Sequence, residues 1–410
     1  MIKCTLFFEL VMDIFFLLWY IFQAWIAIYL ALPFIFLVVY FFKKSTGTLF
    51  NIHNKKTTEQ KEFDFGVIIT VHRETHLVPA LIDSLLKQRY PSFQVYVVAD
   101  RCEPSSILST DQKITVLTPG GVLDSKIKSI QFAIDNFSRQ HDAVVILDSD
   151  NLVHPDFLFV FNQYFKKGYK AVQANLQPKN ADSMYARLDS MGNAFYNFTE
   201  REMRMELGLS SAIWGLGIAI DTELYKEIVY QNHFGGFDKR MQAFLVCKVN
   251  QLAYAKEAIV YDEKVNSGQA LETQRTRWIH AYFRYFQLNW GLLWHGIKKF
   301  RFNPLLFGFL NLRPPFFILI FLVLISCVVN YYIHIHLFIA WMVILVLFFF
   351  SFTLIVSLKT KDKKTVKSIL FLPYLIMRQV FALVKLKKAG KTFLKTEHSK
   401  LIYIEDLIGK

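Results

Sequence analysis

VVILDSD, residues 144–150, is the stretch on which the reading of this chain turns. Four aliphatic residues in succession suit a strand buried on both faces, as in a parallel sheet covered by helices. Asp148 and Asp150 then close the run and stand at the strand's carboxyl edge, where open α/β sheets bind their ligands. Two upstream segments repeat the pattern: VIITVHRE (67–74) brings Glu74 to the end of one apolar run, and VYVVADRC (95–102) brings Asp100 to the end of another. Strands are expected over 65–71, 95–99, 143–147 and 171–174. Apolar residues at helical spacing over 77–88 and 126–137 fall between them. The order β-α-β, then α-β, predicts an α/β domain from about Phe63 to Val265.

The flanking sequence is of another kind. The chain has 410 residues, 53% of them hydrophobic and 41 of them Phe, and these cluster. From Ile14 to Phe42 no charged residue occurs, which is more than the ~20 residues needed to cross a bilayer, with Pro33 absorbed as a kink. Residues 316–333 and 337–358 each suit one further crossing. The segment 369–384 is interrupted by Pro373 and Arg378 and reads as interfacial, as do the Trp-rich residues around Trp290 and Trp294.

The net charge of +14 lies mostly in runs beside the apolar stretches: Lys43–Lys44, Lys298–Lys299 with Arg301, 359–367 and 385–391. That is the bias of cytoplasmic flanks next to membrane lipid, and it argues against a nucleic-acid partner. An integral membrane protein with a cytoplasmic catalytic domain and tail is expected, in the cell (inner) membrane. The N-terminal run is too long for a cleavable signal and ends in lysines. Cys4, Cys102, Cys247 and Cys327 are too far apart to frame a zinc or redox motif.

The carboxylates at the strand ends suggest chemistry. Asp148 and Asp150 offer hard oxygen ligands for Mg2+ or Mn2+ on a diphosphate, although Asp-x-Asp is also common in solvated loops. Asp100 suits a hydrogen bond from a nucleotide base, or a turn cap, and Glu74 suits the same site or a helix start. Lys126, opening KIKSIQFAI (126–134), can face a phosphate. Downstream come AIWGLGIAID (212–221) with Gly215 and Gly217, GGFDKRMQ (235–242) with Asp238, AYAKEAIVYDEKV (253–265), and QRTRW (274–278) with Gln274, Arg277 and Trp278. Arg277 suits a diphosphate and Trp278 offers a flat face to a sugar ring.

In this order the motifs resemble the family-two, GT-A-fold inverting glycosyltransferases, particularly the processive membrane synthases of cellulose, hyaluronan and poly-N-acetylglucosamine. The resemblance implies a nucleotide-diphospho-sugar transferase domain with a Rossmann-like mixed sheet, carrying α-helical transmembrane segments. It places Asp100 at the nucleobase, Asp148 with Asp150 at the nucleobase or the diphosphate and metal, and Asp238 as the group that deprotonates the acceptor hydroxyl. Gln274, Arg277 and Trp278 then match the segment that caps the diphosphate and receives the acceptor. Gly215 and Gly217 suit a close approach of backbone to an acceptor sugar, or a tight turn. Two departures stand out: Gly-Phe-Asp replaces the usual Thr-Glu-Asp, and Ser125-Lys126 replaces Gly-Lys.

The expected organisation is an N-terminal transmembrane helix (1–44), a catalytic domain (45–275), the QxxRW segment with interfacial helices (276–312), two spans (313–358), and a basic loop, interfacial helix and tail (359–410). The expected activity is hexosyl or N-acetylhexosaminyl transfer from a nucleotide-sugar donor, a UDP-sugar by preference, to a growing β-linked polysaccharide, with accessory export proteins as possible partners. Single addition to a lipid-linked or short glycan, and a catalytically inactive glycan-binding or translocating protein, are the alternatives.

Overall fold

The computed structural model describes residues 2–107, 111–230, 236–360, 362–384 and 399–409. Gly235 of the GGFDKRMQ stretch, the basic run 385–391 and the tail from Lys391 to residue 398 lie outside them. The chain divides into two compact units, one of residues 1–48 and 313–358, the other of residues 49–312 and 359–410.

The larger unit is built on an eight-stranded mixed sheet: β1 (Phe65–His72), β2 (Phe93–Asp100), β3 (Ile114–Leu117), β4 (Ala143–Asp148), β5 (Leu152–Val153), β6 (Ala171–Pro178), β7 (Ile218–Asp221) and β8 (Ala253–Asp262), in the order β3-β2-β1-β4-β7-β6-β8-β5. β3, β2, β1 and β4 run parallel, whereas β7 is antiparallel to both β4 and β6. All four strands expected from the sequence form, as do helices Val78–Leu86 and Lys126–Asp135 within the expected segments.

Strand periodicity sorts the core. Val67, Ile69 and Val71 of β1, with Val95, Val97, Val145 and Leu147, pack on one face beside helices Val78–Leu86 and Phe157–Lys166. Ile68, Tyr96, Val98, Val144 and Ile146 point to the other face, covered by helices Lys126–Asp135 and Phe237–Lys248. With both faces covered, these strands read as the continuous apolar runs seen in the sequence. Gly66 has a steric reason: a Cβ there would come within 2.8 Å of the Phe137 ring and 2.9 Å of the His141 ring.

The chain's last described residues return to this domain. Ile404 is fully buried among Ala80 and Leu152, and the Glu263 carboxylate accepts the backbone N–H groups of Ser399 (2.9 Å) and Lys400 (3.1 Å).

Among the described residues, three helices are long and apolar enough to cross a membrane: Glu9–Ser45, Phe316–Ile333 and Ile335–Lys359. Within this smaller unit the Gln23 side-chain carbonyl accepts hydrogen bonds from Asn330 Nδ2 (2.5 Å) and Trp341 Nε1 (2.6 Å), a polar contact of the kind that holds membrane helices together. Residues 369–384 form a short turn and helix Leu372–Val384 instead, whose Arg378 reaches Glu272 of helix Gly268–Lys298 at 3.4 Å.

Candidate active site

Register and parity gather the polar residues. His72 pairs with Asp100 across β1 and β2, and Thr70 pairs with Asp148 across β1 and β4, so all three strands end in polar residues at one edge. His72, Asp100 and Asp148 share the parity of Ile68, Val98 and Ile146 and therefore lie on the face covered by helix Lys126–Asp135. That helix brings Lys126 to Asp148. The Lys126 ammonium pairs with the Asp148 carboxylate and donates to the Gly215 carbonyl at 3.0 Å.

On the β2 side, Asp100 is buried and heavily engaged. Its Oδ1 accepts Leu123 N–H at 3.0 Å; its Oδ2 accepts Asp124 N–H at 2.9 Å and lies 3.0 Å from His72 Nδ1. Burial pushes its carboxyl upward, yet the Leu123 N–H, the His72 ring and the Asp124 N–H together hold it below the ordinary carboxylate range. His72 Nε2 lies 3.5 Å from Asp124 Oδ1, and Arg101 Nη2 binds Asp124 Oδ2 at 2.6 Å. His72, Asp100 and Asp124 each offer a ligand atom within 4.8 Å of the others, which makes them a possible metal-holding group among the described residues. Glu74 is exposed on the turn after β1.

On the other side of Lys126, Gly215 and Asp238 approach each other. Gly215 has φ +69°, and a Cβ there would stand 3.1 Å from the Phe237 ring and 3.3 Å from Asp238 Cβ. Asp238 lies in the first turn of helix Phe237–Lys248, where a carboxylate is favoured by the helix dipole, and Lys126 sits 5.3 Å from the Phe237 ring centroid. Gly217 serves the sheet. Its N–H donates to Ile146 and its carbonyl accepts from Ala174, both at 2.8 Å, and a Cβ would meet Val260 at 2.7 Å.

Gln274, Arg277 and Trp278 fall in helix Gly268–Lys298. Gln274 is buried, Arg277 is partly buried and Trp278 is 40% exposed. Burial draws the Arg277 guanidinium below its usual value while the nearby Asp148 charge pulls it back, which puts Arg277 within electrostatic reach of the Lys126–Asp148 pair. Arg275 forms a buried ion pair with Asp189 at 2.6 Å and lies 4.3 Å over the Trp278 ring. Trp278 in turn meets Trp214 at a centroid distance of 6.1 Å, and the fully buried Arg201 lies 4.3 Å over Trp214. Burial presses the Arg201 guanidinium down to about 10.

Lys126, Asp148, Gly215 and Asp238 thus form one connected group, and the Asp148 charge acts on the Arg277 guanidinium. Trp278 joins through Trp214, the residue before Gly215. Asp150 is buried two residues beyond Asp148, and Lys179 donates to its backbone carbonyl at 3.1 Å. Sequence reasoning passed over His72, Asp124, Lys179, Arg201 and Trp214. His72 and Asp124 carried a signal, the first by its parity with Asp100 and the second by its place just before Lys126.

The profile of the family described as "Glycosyltransferase like family 2" matches residues 63–281, more than half of the chain. Among solved structures, the mannosyltransferase PcManGT from Pyrobaculum calidifontis, in complex with GDP-Man and Mn2+, is similar over 90% of this chain and 99% of its own, at 16% identity and TM-score 0.55. S. aureus TarS 1-349 in complex with UDP-GlcNAc aligns over 50% of this chain and 59% of its own, at 18% identity and TM-score 0.33. A sequence search of curated proteins gives no match. The eight-stranded mixed sheet is GT-A-like, and the chain belongs to glycosyltransferase-like family 2.

Proposed function

We propose that this protein transfers a hexosyl or N-acetylhexosaminyl group, with inversion, from a nucleoside-diphosphate sugar to a growing β-linked polysaccharide at a membrane. The observation that carries the reading is the meeting of Lys126, Asp148 and Gly215 with Asp238: cation, metal-suited carboxylate and candidate base surround one small region. Asp148 and Asp150 are hard oxygen donors at a strand end, one partly exposed and one buried, and they fit Mg2+ or Mn2+. When bound, that ion neutralises charge on the leaving diphosphate.

The protein's own groups do the rest. Lys126 and Arg277 attract the diphosphate, and Gln274 lines the same helix. Asp238 accepts the proton of the attacking hydroxyl on a carboxylate oxygen as that hydroxyl bonds to the anomeric carbon and the nucleoside diphosphate departs. Trp278 supplies a stacking face for the acceptor, with Gly215 beside it. Asp100 and Glu74 belong to the nucleoside end. The mannosyltransferase with GDP-Man and Mn2+ makes GDP-sugars as pertinent as UDP-sugars for the donor. The catalytic domain is assigned to the cytoplasmic side, with membrane lipid around the spans and accessory export proteins as possible partners.

The deciding experiment incubates the purified full chain with UDP- and GDP-sugars and Mg2+ or Mn2+ in turn, and follows both nucleotide release and product length. Polymer that grows with time supports the proposal. Products of one added sugar overturn the polymerising part, and no turnover of any donor overturns the whole.

A further inference from the structure

Asp100 is where the family resemblance puts recognition of the nucleobase, yet its carboxylate has little left to offer. It is 2% exposed, and three contacts already occupy it: Leu123 N–H, Asp124 N–H and His72 Nδ1. A carboxylate has about four lone-pair positions, so one remains, on a group that a ligand scarcely reaches. The residues it braces are different. The Asp124 side chain is 43% exposed, Arg101 39% and His72 28%, and they form one chain of contacts: His72 Nε2 to Asp124 Oδ1 at 3.5 Å, Asp124 Oδ2 to Arg101 Nη2 at 2.6 Å. A carboxylate that accepts an N–H and a guanidinium that donates to a carbonyl or ring nitrogen stand side by side. That pairing suits the hydrogen-bonding edge of a nucleobase.

The placement is imposed by the fold. Arg101 directly follows β2 and Asp124 lies two residues before the helix that carries Lys126, so the pair links the end of β2 to the approach of the helix whose cation is assigned to the diphosphate. A metal ion is the rival occupant of His72, Asp100 and Asp124. Against it, Arg101 already neutralises Asp124, and Asp100 is spent on backbone N–H groups.

We propose that Asp124, with Arg101 and His72 beside it, is the specificity-determining contact for the donor nucleobase, and that Asp100 is a positioning residue that holds Asp124 and His72 in place. This rests on the donor reading above and deepens it.

The test measures dissociation constants of UDP, GDP, ADP and CDP, each with Mn2+, for the purified full chain and its variants. Inorganic pyrophosphate with Mn2+ serves as a probe without a base. Wild type is expected to prefer its best nucleotide over its worst by at least about tenfold. Asn, like Asp, is among the non-glycine residues that best tolerate the left-handed φ of +46° at this position, so the loop should persist in Asp124→Asn, and the preference should shrink to within about threefold while pyrophosphate affinity holds. Arg101→Met should shift the same ratio. Asp100→Asn, which turns a donor toward one of the backbone N–H groups and so displaces Asp124, should shrink the preference as well while pyrophosphate affinity holds. An undiminished preference in Asp124→Asn, or its loss in Asp100→Asn alone, overturns this assignment and leaves the donor reading standing. So does a Mn2+ site, measured without nucleotide, that vanishes in Asp124→Asn. A wild-type chain that binds none of the four overturns both.

Discussion

The ammonium of Lys126 is clamped between the Asp148 carboxylate and the Gly215 carbonyl, the latter at 3.0 Å. In this state a protein cation occupies the carboxylate assigned to the metal. Lys126→Met should therefore tighten Mn2+ binding without nucleotide by up to about fivefold, since such a partly exposed pair contributes about 1 kcal/mol or less. The same change should weaken nucleoside-diphosphate binding. Calorimetry with each ligand checks both signs, and a shift of both in one direction would refute the competition.

Asp238→Asn should keep the donor KM and lower kcat by about 10² or more, because Asn preserves size but takes no proton. Steady-state kinetics at saturating donor decide it. Near-wild-type turnover would place the base elsewhere.

The Arg275–Asp189 pair is buried, with side chains 10% and 4% exposed. Breaking such a pair on one side costs about 3–5 kcal/mol because the remaining charge stays buried. Asp189→Asn should accordingly lower Tm by at least about 5 °C. An Asp189→Leu, Arg275→Met double variant should recover most of that loss, as thermal melts in detergent would reveal.

Acid should destabilise the domain through His141. Its ring is fully buried and held below its ordinary range, burial being the main cause and Asp64 opposing it. The neutral ring is placed to donate from Nδ1 to Asp64 (2.7 Å) and to accept at Nε2 from Tyr96 (2.9 Å). Because the folded value lies below the unfolded 6.5, the unfolded chain takes up a proton first, and stability is lost as pH falls below about 6.5. Asp64 adds to the loss only below its own unfolded value of 3.8; burial raises it, but Arg139 and His141 outweigh that. Tm should drop between pH 7.5 and 5.0, and His141→Gln should flatten the drop. An equal slope in both proteins would exclude His141 as the cause.

From the basic flanks, both ends of the hairpin Phe316–Lys359 are expected in the cytoplasm and the N-terminus outside. Cysteines introduced at Lys44 and Lys363 should label only after the membrane is permeabilised. Labelling of Lys363 in intact cells would reverse the topology.

The sheet was legible where strands are covered on both faces, since residues 67–69, 95–99 and 143–147 show it as unbroken apolar runs. Leu152–Val153 and Ile218–Asp221 were not legible, because two to four residues are too few to display a period and their pairing with β8, β4 and β6 is set by distant chain. The long β8 was hidden by its exposed Lys256 and Glu257, which break the pattern at a bulge opposite Ala174–Asn175. At the site, acids at strand ends could be read because strand ends are local. The Trp214–Trp278 contact joins residues 64 positions apart in sequence, and nothing near Trp214 announces its partner.

The return of Ile404 to the pocket of Ala80 and Leu152 has a consequence for how the protein is made. The larger unit is closed by residues that follow the three described helices apolar enough to cross a membrane, so a ribosome must release both segments of Phe316–Lys359 before these contacts form. Synthesis of those helices thus precedes completion of the unit, and a chain stopped after Lys359 leaves the ribosome with the Glu263 carboxylate and the Ala80–Leu152 pocket uncovered.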